Sequence, residues 1–98
     1  MSDEEFRTKA YEITTYLSQF RTEDVSIAFD IDGLHQMELS KRVLIPGSML
    51  KETVLKIQEI TGFLSPVSLC TEILGTNELH SIKVRFGRMC MEFPYAEV

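Results

Sequence analysis

Residues 79–95 read Leu-His-Ser-Ile-Lys-Val-Arg-Phe-Gly-Arg-Met-Cys-Met-Glu-Phe-Pro-Tyr, and this stretch constrains the fold more than any other. With Gly87-Arg88 as a two-residue turn, Phe86 falls opposite Met89, Val84 opposite Met91 and Ile82 opposite Phe93. All six then occupy one face, because strand side chains alternate with a period of two. The same register sets Lys83 across from Glu92, an opposite-charge pair that reinforces it. Glycine at the first turn position suits a type II′ turn, whose backbone needs positive φ there. The chain is therefore expected to end in a hairpin with one oily and one polar face.

Earlier in the chain, Ser2 and Glu5 have the spacing of a capping box, with Asp3 and Glu4 in the first helical turn. Phe6, Ala10, Ile13, Leu17 and Phe20 follow at helical steps, so a helix is predicted over 3–20, with Tyr11 on its far side. Val25, Ile27 and Phe29 then alternate with polar or small residues, which reads as a strand leading to a turn at Asp32-Gly33. A two-residue loop would set Phe29 against Gln36 and Ile27 against Glu38. A three-residue loop, Ile31-Asp32-Gly33, pairs Ile27 with Met37 and Val25 with Leu39 and keeps one face apolar. The second register is the expected one, and it turns His35 toward that face.

Val43-Leu44-Ile45 reads as a short continuation of the sheet before Pro46-Gly47. Ser48 is the expected cap of a helix running to about Thr61, with Gly62 as its stop. Leu50, Val54, Ile57 and Ile60 form the inner side of that helix, and Leu55 is an apolar residue on its charged side. Residues 65–75 read two ways. Ser65-Pro66 and Gly75 punctuate a short helix, while Val67, Leu69, Thr71 and Ile73 alternate like a strand; the helix is the preferred reading. Together these elements predict one α+β domain over residues 1–98. Two hairpins form an antiparallel sheet of four to five strands, with two to three helices packed on one face.

Function is less legible. The chain has 98 residues, 44% of them hydrophobic, and a formal charge of −5, which describes an ordinary globular composition. Residues 1–32 hold eight acids against three bases, so the whole excess sits in the first third. A nucleic-acid binder would carry a basic patch on a basic domain, and none is expected here. No apolar run approaches the ~20 residues of a membrane span. The acidic start lacks a secretory signal, and Cys70 and Cys90 read as thiols in a cytoplasmic protein.

Motifs that carry chemistry are wanting. Aligning Asp30-Ile31-Asp32-Gly33 with a calcium loop puts Ala28 and Leu39 at the two essential carboxylate positions. His35, Cys70, His80 and Cys90 lack the close spacing that zinc ligands need. No nucleophile elbow or phosphate-binding glycine loop occurs. Cys90, across from Arg85, is the one candidate nucleophile, and an ordinary surface cysteine is the simpler reading.

These observations predict a non-catalytic, cofactor-free protein interaction module, acting as a homodimer or within a larger assembly. Lys83, Arg85 and Arg88 form its one basic cluster, and with Leu55 and Tyr11 they are the expected partner-binding residues. A small acidic inhibitor that blocks a basic site on a toxin or nuclease is the alternative. No motif identifies a family.

Overall fold

The structure of the protein, a computed structural model, describes the backbone of residues 2–31, 34–63, 66–74 and 77–98, and the side chains of these except 26–40, 74, 77 and 86. Its elements are α1 (Asp3–Leu17), β1 (Thr22–Ile31), β2 (Leu34–Ile45), a 3-10 turn (Gly47–Met49), α2 (Leu50–Ile60), β3 (Val67–Leu74), β4 (Asn77–Phe86) and β5 (Met89–Glu97). The strands form one sheet in the order β1-β2-β5-β4-β3. The fold is α+β with two helices, as the sequence leads one to expect.

The sheet is mixed. Its hairpin ladders are antiparallel, but Val43–Ile45 of β2 run parallel to Tyr95–Glu97 of β5. Parallel neighbours need a long crossover, and α2, β3 and β4 together supply it. Beyond the seam, Val98 N–H donates to Ile45 O at 2.9 Å and Gly47 N–H to Val98 O at 3.0 Å.

The C-terminal hairpin has the register its sequence dictates: Phe86↔Met89, Val84↔Met91, Lys83↔Glu92 and Ile82↔Phe93. Gly87 has φ +59° while Arg88 is not in the positive-φ region, as a type II′ turn requires. Ile82, Val84, Met91 and Tyr95 share one face and join Ile13 and Leu17 of α1, Ile57 of α2 and Ile45 of β2 in the buried core. Both helices therefore cover this inner face. Each large side chain so buried contributes about 1.5–3 kcal/mol.

Helix α1 starts as expected, with Ser2 accepting a hydrogen bond from Glu5 N–H at 3.2 Å. It ends three residues early, at Leu17. Ser18 Oγ donates to Thr15 O at 2.6 Å and Gln19 Nε2 to Tyr16 O at 3.0 Å, so local side chains take up the last carbonyls. Helix α2 starts at Leu50, not Ser48, which lies in the preceding 3-10 turn without capping α2. Its buried positions are Thr53 and Ile57, and Val54 is displaced to the flank. Thr53 tolerates burial because its hydroxyl donates to Met49 O at 2.8 Å.

Two expectations are overturned. The first hairpin pairs Ile31 with Leu34, Phe29 with Gln36 and Ile27 with Glu38, the two-residue-loop register and not the three-residue one. Of its ten pairs, only the first, Thr22↔Val43, includes a residue that also pairs with β5; Leu44 and Ile45 meet β5 beyond the ladder. The observed register therefore differs from the one that the apolar pattern favours. The turn residues Asp32 and Gly33, and the side chains of Ile27, Phe29, His35, Met37 and Leu39, lie outside the described residues. Second, residues 67–74 are strand β3 and not a helix. Val67, Leu69, Thr71 and Ile73 fall opposite Val84, Ile82, His80 and Glu78, so pairing with β4 overrides the local helix punctuation.

Candidate protein-interaction surface

Strand β3 closes one edge of the sheet, and its ladder shows which way its backbone groups point. Arg85 N–H donates to Pro66 O at 3.1 Å, which makes Pro66 and Arg85 a hydrogen-bonded pair. The register continues unbroken through Leu74↔Asn77, and antiparallel pairs alternate between hydrogen-bonded and non-hydrogen-bonded. Ser68, Cys70 and Glu72 thus bond to β4. Val67, Leu69, Thr71 and Ile73 turn their N–H and C=O groups away from it, toward the open edge.

The same four residues carry their side chains on the inner face. Leu69 is 46% exposed and Ile73 75% exposed, so α2 does not cover this edge. A few residues of β1 lie within 8 Å, Cα to Cα, of β3, but Thr71, Glu72 and Ile73 remain exposed. Proteins normally protect such an edge with inward charges or prolines. Here the inner positions 67, 69, 71 and 73 carry no charge.

Alongside lies a groove of about 480 Å3, walled by Leu50, Val54 and Leu55 of α2 and by Leu69 of β3, with Gly47, Lys51 and Gln58 completing its lining. Leu55 is 50% exposed at its lip. Past the groove, α2 ends in a paired C-cap: Gly62 N–H donates to Glu59 O at 3.0 Å and Phe63 N–H to Gln58 O at 2.8 Å, the Schellman pattern. Gly62 has φ +72° and suits the site, whereas Phe63 holds φ +60°, a conformation costing a non-glycine residue about 1–2 kcal/mol. Its ring is 68% exposed. Sequence reasoning misses Leu69, Ile73 and Phe63 as surface residues. For Leu69 and Ile73 the usable signal is the alternation at 67, 69, 71 and 73.

The five residues expected to bind a partner do not converge. Leu55 lines the groove. Lys83 lies on the outer face, its ammonium 3.0 Å from the Glu72 carboxylate. That hydrogen bond and charge, with Glu92 opposite, hold Lys83 above the usual lysine range. Arg85, paired with Cys90, and Arg88, at the hairpin tip, are exposed. Tyr11 is 74% exposed on α1 and does not line the groove. The basic cluster is thus two exposed arginines beside a lysine already engaged with Glu72.

A second hollow, of about 320 Å3, lies under the C-terminal end of α1. Leu17, Val43 and Phe93 line it together with Lys41 and Arg42, and Arg42 is ion-paired with Glu23. His80 shares a hydrogen bond with Thr71, Nδ1 to Oγ1 at 2.9 Å. Its ring centroid is 5.9 Å from that of Tyr95. Burial pushes the Tyr95 phenol above its ordinary value, and Glu97 adds to the shift. Cys70 and Cys90 are free thiols on the outer face. Among the described residues, no three of His, Cys, Asp and Glu gather as metal ligands would, and no helix is long and apolar enough to cross a membrane. No family model, no curated protein and no solved structure matches the chain.

Proposed function

We propose that the protein is a non-catalytic interaction module that works as a subunit of a homodimer or of a larger protein assembly. The observation that carries this reading is the β3 edge, where outward backbone groups adjoin exposed Leu69, Ile73 and Leu55. Unpaired strand edges recruit other chains by adding a strand, and large apolar side chains gathered beside one mark a contact surface. On this reading the module acts in the cytoplasm, needs no cofactor and uses neither thiol for chemistry. Light scattering over a concentration series tests it. A mass rising toward twice the chain mass supports the homodimer form of the reading, and a strict monomer at high micromolar concentration contradicts self-assembly.

A second reading, a small acidic inhibitor of a basic effector, draws on the exposed Asp3, Glu4, Glu5 and Glu12 of α1. It requires binding that weakens steeply with salt and is lost when these four charges are reversed. Salt-insensitive binding to the effector would dismiss it.

A further inference from the structure

We infer that the β3 edge is built to pair with the β3 edge of a second copy of this chain, antiparallel, about a two-fold axis midway between the two copies of Thr71. The inference rests on the interaction-module reading and specifies its geometry. A two-fold axis perpendicular to the sheet keeps each helix layer on the same side, so inner positions must face inner positions. The numbers of antiparallel partners then sum to an even number, so one residue lies directly opposite its own counterpart, with the axis midway between them. With the axis at Thr71, Leu69 falls opposite the second copy's Ile73, Thr71 opposite its counterpart and Cys70 opposite Glu72. Leu69, Thr71 and Ile73 are the residues whose backbone groups point outward, so every one of these inner pairs is hydrogen-bonded.

Neighbouring registers serve the exposed side chains less well. An axis at Cys70 sets Leu69 against Thr71 and Ile73 against Val67. An axis at Glu72 sets two carboxylates face to face, which is repulsive. Only the Thr71 axis matches the two most exposed apolar residues of the edge with each other, in both halves of the interface. No charge opposes a like charge, and Glu72 is already neutralised by Lys83. The second copy's Ile73, standing beside Leu69, comes to the mouth of the groove walled by Leu50, Val54 and Leu55. A second copy of this chain is therefore the occupant that complements both the edge and the groove.

Cross-linking and mass together test the proposal. In the Thr71 register, Cys70 and position 72 of the second copy form a non-hydrogen-bonded pair, at a separation a disulfide can bridge. In a Cys90→Ser background, Glu72→Cys is expected to give a covalent dimer under mild oxidation, while the Cys90→Ser parent is not. Ready cross-linking of that parent through Cys70 would overturn the register in favour of an axis at Cys70. Ile73→Lys replaces an exposed side chain, so the fold is retained, and it is expected to weaken self-association at least about tenfold by burying an unpaired charge. A dimer that survives Ile73→Lys and fails to cross-link through Glu72→Cys overturns this inference but leaves the module reading standing. An unsubstituted chain that stays monomeric removes both this inference and the homodimer form of the module reading.

Discussion

Two hairpins of this sheet, β1–β2 and β4–β5, use the same ladder chemistry but answer to different constraints. The second, β4–β5, lies under both helices, and its inner face is Ile82, Val84, Met91 and Tyr95, all buried. A slip of one residue would move that whole set to the outer face, so burial dictates the register. The first, β1–β2, joins the sheet only through Val43–Ile45. Beyond that, its strands pair with each other alone, and a two-residue loop prevails over the register that gathers the apolar residues. Hydrophobic pattern predicts strand pairing where a described core rewards it, as in β4–β5. In β1–β2 the observed register is not the one that the pattern favours.

The largest effect that could break this contrast is a core truncation. Ile82→Ala should cost about 2–5 kcal/mol in chemical denaturation. Val25→Ala, at a half-buried position of the first hairpin, should cost less than about 1 kcal/mol. Equal losses would mean the two hairpins are equally anchored. Next comes the turn of the better-anchored hairpin. A methyl group at Gly87 would meet only open space, but the backbone there holds φ +59°. Gly87→Ala should therefore destabilise by about 1–2 kcal/mol through backbone strain alone. An unchanged denaturation midpoint would show that the turn does not hold this conformation.

The smallest effect probes the seam between the hairpins, where Tyr95 pairs with Val43. Its phenol pKa is raised above the ordinary 10.0 on folding, so the folded state holds that proton more tightly than the unfolded chain. The resulting stabilisation is complete below about pH 10 and is lost as pH rises through the folded value. Lys83, also raised, loses its contribution in the same direction. Tyr95→Phe should therefore flatten the alkaline fall in melting temperature without abolishing it. An unaltered alkaline slope would show that Tyr95 is not desolvated.

The same contrast explains what the sequence discloses. The C-terminal hairpin is legible to the residue, because alternation, the Lys83–Glu92 pair and Gly87 all agree. The helix stripe of α1 is legible for the same reason, Ile13 and Leu17 being its buried steps. Strand β3 reads wrongly because Pro66 and Gly75 mimic helix ends, and only its pairing with β4 decides between the two periods. That ambiguity conceals the candidate surface. Leu55 stands out in the sequence as misplaced oil, but Leu69 and Ile73 cannot be joined to it while their segment reads as a helix. Lys83 looks like a free cation because Glu72, its partner, lies on a strand that local pattern does not place.

Along β3 the backbone groups alternate between bonded and open, and amide hydrogen exchange followed against concentration addresses this directly. At low micromolar concentration, Cys70 and Glu72 amides should exchange slowly, held by β4, while those of Leu69, Thr71 and Ile73 exchange fast. Near millimolar concentration the latter three should gain protection and the former two should change little. Uniform protection along β3 at every concentration, or none gained at Leu69, Thr71 and Ile73 while the chain self-associates, would contradict the edge-pairing account.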